Sequence, residues 1–140
     1  PCEGDGQSVR RKLAKVAIGV RTGVSKERAI IDIGSNTVRL VIYGGPQRAP
    51  TVLHNEKITA RLGKGVAESG ALTEKAMDSV LGALARFAKL LELRGVRDVQ
   101  TVATAATRDA ANGAEFLQAI RRCGLAPRLL TGEEEALASA

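Results

Sequence analysis

Aromatic residues are nearly absent from this chain. Tryptophan does not occur, and Tyr43, Phe87 and Phe116 supply its only phenyl rings. The stacking platforms that hold single-stranded nucleic acids are therefore missing, and a core has to be built from Ala, Val, Ile and Leu. Cysteine is as scarce: Cys2 and Cys123 each lack a second cysteine near them in sequence. That spacing excludes a zinc knuckle and a redox dithiol and fits a reduced, cytoplasmic setting. Cys123, close to a helix end and followed by Gly124, reads as a small packed side chain. The one histidine, His54, lies beside a turn and reads as solvated rather than catalytic. No apolar run is long enough to span a bilayer. The segment from Arg10 to Val20 is interrupted by Lys15 and is too short in its apolar part for a signal peptide, so no membrane contact is expected.

What is present suffices for one domain. At 140 residues and 44% hydrophobic content, about 70% of the extended-chain surface is removable on folding. The net charge of +6 is uneven: residues 1–28 hold seven basic and three acidic residues, leaving a net +2 for residues 29–140. With the folded part nearly balanced, general nucleic-acid affinity is not indicated. Residues 1–28 carry Gly4, Gly6, Gly19 and Gly23 without periodicity. They read as a mobile leader, either a natural extension or a non-native remnant, and their Arg10-Arg11-Lys12 run as a solvated tail.

The stretch from Ala29 to Tyr43, Ala-Ile-Ile-Asp-Ile-Gly-Ser-Asn-Thr-Val-Arg-Leu-Val-Ile-Tyr, organises the rest. Two arms rich in β-branched residues flank a short polar hinge, which predicts a buried hairpin rather than an amphipathic helix. Asp32 falls within an apolar strand, where a carboxylate is costly to desolvate unless a cation, a donor or water reaches it. Gly34 lets the backbone turn closely, while Ser35, Asn36 and Thr37 add side-chain donors to exposed N–H groups. Such a loop can cradle a phosphate. It is also ordinary turn chemistry, because an Asp at a strand end often bonds the amides of the turn that follows.

Downstream, Gly44-Gly45-Pro46 and Ala49-Pro50 mark a turn, and Thr51 to Ala60 supplies a third strand of an antiparallel meander. Arg61-Leu62-Gly63-Lys64-Gly65-Val66 is not a Walker A loop, since no Gly stands five residues before Gly63 and no Ser or Thr follows Lys64; it reads as a flexible exit from that strand. Thr73 caps a long helix whose Met77, Val80, Leu81, Leu84, Phe87, Ala88 and Leu91 form one apolar stripe up to Gly95. Val96 to Thr104 reads as a strand, and a helix followed by a strand predicts a crossover with parallel pairing to the first strand. The segment after it, Ala105 to Ala110, then lies where open α/β sheets bind ligands. Arg108 there could fork two donors onto a phosphate, or pair with Asp109. Asn112 with Glu115 predicts a capped second helix ending at Gly124, and Pro127 to Leu130 a short last strand. Three glutamates, Glu133 to Glu135, open a final helix, where acids offset the helix dipole and Thr131 with Glu134 makes a capping box. Like charges this close predict at least one raised carboxyl pKa.

Taken in order, these segments resemble the exopolyphosphatase and guanosine pentaphosphate phosphohydrolase family of the actin-like, sugar-kinase and Hsp70 ATPase superfamily. The likeness rests on Asp-Ile-Gly-Ser-Asn-Thr, Arg-Leu-Gly-Lys-Gly, Ala-Thr-Ala-Ala-Thr-Arg, Asn-Gly-Ala-Glu-Phe and Gly-Glu-Glu-Glu-Ala, and it covers residues 29–140. It implies an α/β, ribonuclease-H-like (actin-like ATPase) lobe with a mixed sheet in βββαβαβα order and helices packed on it. It further implies in-line attack of water on the terminal phosphoryl group of inorganic polyphosphate, or on the 5′-γ-phosphate of guanosine pentaphosphate. On this likeness Gly34, Ser35, Asn36 and Arg108 bind phosphate, Glu135 activates water, and Asp32 interacts with Mg2+ through water.

The family builds its cleft from two similar lobes, the second bringing an Asp-x-Gly-Gly-Gly-Ser loop that is missing here. The chain ends within the helix that bears Glu135, so it reads as the N-terminal lobe of a truncated protein whose full-length form is expected to be a homodimer. Little hydrolysis is expected from these residues alone. Three rivals share parts of the pattern: an ATP-dependent kinase or ATPase lobe of the same superfamily, a non-catalytic lobe that binds polyphosphate or alarmone, and a basic nucleic-acid module resting on residues 1–28.

Overall fold

The computed structural model describes residues 27–138. The leader expected over residues 1–28, with Cys2 and the Arg10-Arg11-Lys12 run, lies outside them except for its last two residues. Those two already belong to the fold. Arg28 opens the first strand, and Glu27 accepts from Arg94 Nε and Nη2 at 2.9 and 2.6 Å.

Strand β1 (Arg28–Ile33) and strand β2 (Thr37–Gly44) form the expected hairpin, with Ile31 opposite Leu40 and Asp32 opposite Arg39. Strand β3 (Thr51–Thr59) continues the meander. Strand β4 (Asp98–Ala103) returns parallel to β1, and β5 (Pro127–Leu129) lies parallel to β4, so the sheet runs β3-β2-β1-β4-β5. The crossover is made by the long helix foreseen from its stripe. Since helix α1 (Leu62–Ser69) precedes it, this is α2 (Glu74–Arg94); Thr73 accepts from the Ala76 amide at its start, and Gly95 ends it in a left-handed turn. A short α3 (Ala105–Asp109), α4 (Gly113–Arg122) and α5 (Gly132–Ala138) complete the order. The anticipated βββαβαβα sequence is present, with α1 and α3 inserted into it.

Burial follows the two periodicities of strand and helix. Ala29, Ile31 and Ile33 of β1 and Val38, Leu40 and Ile42 of β2 join Val80, Leu84, Phe87 and Leu91 of α2 and Phe116 and Ile120 of α4 in one core. Ile30, Asp32 and Arg39 point the other way and are exposed. The hairpin is therefore buried on one face, not two. Asp32, expected inside an apolar strand, stands on the open face because it is one residue out of phase with Ile31 and Ile33.

Several local expectations change for physical reasons. Arg61 to Val66 is no flexible exit but the start of α1, anchored by the fully buried Leu62. Gly65 lets this helix sit against the next turn, for a Cβ there would meet Thr73 Cγ2 at 2.8 Å and Ala71 O at 3.1 Å. His54 is not simply solvated: Nε2 lies 3.2 Å from Glu56 Oε1, and Arg86 of α2 grips the same carboxylate, tying the edge strand to the helix. Cys123 is part-buried with Sγ 4.0 Å from Leu81 O, as a packing residue should be.

Asn112 precedes α4 but caps nothing. Its side chain instead accepts from the Leu72 amide at 2.8 Å and donates to the Leu72 carbonyl at 3.0 Å, a two-bond bracket across forty positions of sequence. Leu72 is buried, so neither group has water to fall back on. Asn112→Ala is expected to cost about 2 to 4 kcal/mol of folding stability, and Asn112→Asp, which keeps only the acceptor, about half as much. Urea unfolding midpoints measure both; a loss below about 1 kcal/mol for Asn112→Ala would show that the bracket does not hold the fold.

Candidate functional site

The hinge between β1 and β2 lies at the carboxyl end of β1, beside the end of its parallel neighbour β4. Its tightness comes from Gly34, whose amide donates to Thr37 O at 3.0 Å and whose Cβ, were there one, would be 3.1 Å from that oxygen. Three carbonyls at the hinge are turned into protein. Ile33 O accepts from the Thr104 amide at 3.2 Å, Ser35 O from Gly63 at 2.8 Å, and Asn36 O from Ala60 and Arg61, both at 2.9 Å. The Ser35 and Asn36 amides meet no protein acceptor among the described residues. A turn that engages these carbonyls and leaves successive amides unengaged has the donor arrangement that an anion site requires.

Ser35 and Asn36 play different parts from one another. Ser35 Oγ accepts from the Ala106 amide at 3.3 Å, so this hydroxyl satisfies an amide in the first turn of α3 while keeping its own proton to donate. The Asn36 side chain is exposed at the tip of the hinge. Helix α3 carries Arg108.

The Arg108 guanidinium is held from below and from the side. Nη1 donates to Leu130 O at 2.9 Å and to Glu135 Oε2 at 3.2 Å, while Nε lies 3.4 Å from Asp109 Oδ1. The expected pairing with Asp109 is present, and the same guanidinium also meets Glu135. Its five N–H donors exceed the acceptors it meets, so donors are left for a ligand.

The three glutamates divide cleanly. Glu134 and Thr131 form the predicted capping box, with reciprocal bonds of 3.1 Å, and Arg128 binds the Glu134 carboxylate at 2.6 Å. Glu133 is exposed. One residue further round α5, Glu135 reaches Arg108. The raised carboxyl pKa expected within the glutamate run is not found at Glu134, whose pKa is lowered by its hydrogen bond to Arg128. The carboxyl that is raised lies outside the run: Asp32, pushed up first by partial burial and then by the negative charge of Glu135, with Arg39 acting in the opposite sense. Glu135 is therefore within electrostatic reach of Asp32 as well as bonded to Arg108.

Asp32, Arg108 and Glu135 are thus brought together, with Ser35 linked to them through α3; Gly34 shapes the loop and Asn36 forms its outer edge. Sequence reasoning missed Arg39, which faces Asp32 across the hairpin on the same side of the sheet. The signal was available in the register, since a turn of four residues between Ile33 and Val38 puts position 39 opposite position 32. Among the described residues no three His, Cys, Asp or Glu side chains form a metal cage. Asp32 and Glu135 could hold a divalent cation only as a pair completed by water and ligand oxygens. Such a set suits Mg2+, which keeps much of its hydration.

Residues 41–140 match the Ppx/GppA phosphatase family. Exopolyphosphatase 1 of Mycobacterium tuberculosis is 32% identical over 108 residues, which are 76% of this chain and 31% of that protein. Among solved structures, the family member from Aquifex aeolicus is 34% identical with a TM-score of 0.75, over 79% of this chain and 37% of that one. An exopolyphosphatase from Cytophaga hutchinsonii is 32% identical with a TM-score of 0.75, over 80% of this chain and 36% of its own. The chain thus spans about a third of the length of the relatives it matches.

The electrostatics of Asp32 lead to a stability test. A carboxyl whose pKa is raised on folding destabilises the fold while ionised, and that cost vanishes as pH falls through the folded-state pKa. Asp32→Asn is accordingly expected to raise the melting temperature at neutral pH and to lose its advantage in acid. A variant no more stable than the parent at neutral pH would show that Asp32 is not under electrostatic strain.

Proposed function

The chain belongs to the Ppx/GppA phosphatase family, and from that membership we propose that its site takes the terminal phosphoryl group of inorganic polyphosphate, or the 5′-γ-phosphate of guanosine pentaphosphate, for hydrolysis. The convergence of Arg108, Glu135 and Asp32 beside the unpartnered Ser35 and Asn36 amides carries this reading. Relatives named exopolyphosphatase weigh toward polyphosphate as the substrate.

Phosphoryl transfer asks a protein mainly for positioning and for charge stabilisation. The hinge amides and the Ser35 hydroxyl donate to the non-bridging oxygens of the terminal phosphate, Gly34 lets the loop approach it, and Asn36 closes the outer side. Arg108 adds guanidinium donors, held in place by Leu130 O. Glu135, oriented by Arg108, takes a proton from water as the water oxygen bonds to phosphorus. The bond from phosphorus to the bridging oxygen breaks in line, and the shortened chain leaves with the electron pair. Asp32, through water, would hold Mg2+, which when bound offsets charge on the phosphate oxygens. The opposite wall of the cleft is assigned to a second lobe, in keeping with the third of the relatives' length that this chain spans, and the protein containing both lobes is expected to be a homodimer.

In an enzyme containing both lobes, Glu135→Gln is expected to lower phosphate release by a factor of about 10² to 10⁴ while polyphosphate binding persists. Unchanged turnover would remove Glu135 as the base. The present chain alone is expected to release little or no phosphate from polyphosphate, and a colorimetric phosphate assay on the purified chain checks this directly.

A further inference from the structure

The Arg61-Leu62-Gly63-Lys64-Gly65 segment has no part in the chemistry above, yet, together with Ala60 before it, it is bonded to the phosphate loop at three points. The Ala60 and Arg61 amides hold Asn36 O, and the Gly63 amide holds Ser35 O. Arg61 itself adopts φ 54° and ψ 42°, and it is the one non-glycine residue with positive φ among the described residues. Glycine takes that conformation freely, whereas any side chain crowds its own backbone there. An arginine therefore occupies a position where backbone geometry favours glycine.

Its side chain is exposed and meets no carboxylate among the described residues, whereas Arg86, Arg94, Arg108 and Arg128 each do. The layout of the sheet gives this cation a direction. With the order β3-β2-β1-β4-β5, Arg108 and Glu135 approach the hinge from the β4 and β5 side, and Arg61, at the end of β3, approaches it from the other. An anion chain whose terminal phosphate lies by Arg108 and whose body crosses the hinge toward β3 passes Arg61 next.

We infer that Arg61 binds the phosphoryl group adjacent to the terminal one and so makes the site prefer phosphate chains over orthophosphate. This rests on the phosphate-site reading above. A charge-assisted contact of this kind corresponds to about a tenfold change in affinity.

The test is calorimetric binding of tripolyphosphate and of orthophosphate to the parent chain and to R61G, R61K and R108A. Glycine relieves the backbone, so R61G should melt at the same or a higher temperature than the parent. It should bind tripolyphosphate about tenfold more weakly, with orthophosphate affinity unchanged, and R61K should recover part of the loss. If R61G leaves tripolyphosphate binding intact while R108A abolishes it, the Arg61 assignment falls and the site reading stands. Equal losses for both anions in R61G would also overturn it, since a general positive field would then account for the effect. If the parent binds neither anion, or R108A binds both as well as the parent does, the site reading fails and this inference with it.

Discussion

Four backbone bonds to three carbonyls at one hinge decide how the rest of the molecule can work. Ile33 O, Ser35 O and Asn36 O are taken by amides from the end of β4, from α1 and from the end of β3. A free two-strand hinge could expose carbonyls and amides alike. Here three of the carbonyl oxygens are consumed by neighbouring elements, and the exposed turn is left richer in donors. The same bonds bring α1, α3 and the strand ends to one place, so fixing the loop and assembling its surroundings are a single structural event.

Much of this could be read from the residues because the contacts are local or periodic. The hairpin from Ala29 to Tyr43, the stripe of α2 and the Thr131–Glu134 box each depend on local spacings, and the parallel return of β4 follows from the order of helix and then strand. What was hidden depends on partners remote in sequence or on strain. Helix α1 begins at a left-handed arginine and contains Gly63 and Gly65, signals that locally argue against a helix. Asn112 sits where a cap belongs, but Leu72 competes for its amide group, and a contact forty positions distant leaves no local mark. The side of the sheet occupied by Asp32 follows from simple alternation, yet apolar neighbours on both sides made the strand look buried throughout.

The glutamate run shows how one helix start can serve stability and chemistry without conflict. A capping acid must turn back toward its own backbone, and Glu134 does so with Arg128 as a second anchor. The next residue is rotated by roughly 100° around the helix, and that rotation carries the Glu135 carboxylate to Arg108. Moving the run by one position would exchange the two roles and leave Arg108 facing a residue aimed elsewhere. The charge pattern alone therefore could not separate the capping acid from the acid that meets Arg108; the capping geometry does.

Charge balance explains why such a site would favour a multiply charged anion only with further help. Arg39 and Arg108 face Asp32 and Glu135, so the notch is close to neutral before any ligand arrives, and Asp32 is already pressed toward its protonated form. A terminal phosphate brings more negative charge than the spare donors of Arg108 can offset. On the proposed reading the additional positive charge would come from a cation at Asp32, from a facing lobe, or from a residue such as Arg61, which stands beside the hinge without a carboxylate partner among the described residues. A phosphate chain spreads its charge along its length, so on that reading it would draw on Arg61 and Arg108 together, whereas orthophosphate would occupy only one end of that span.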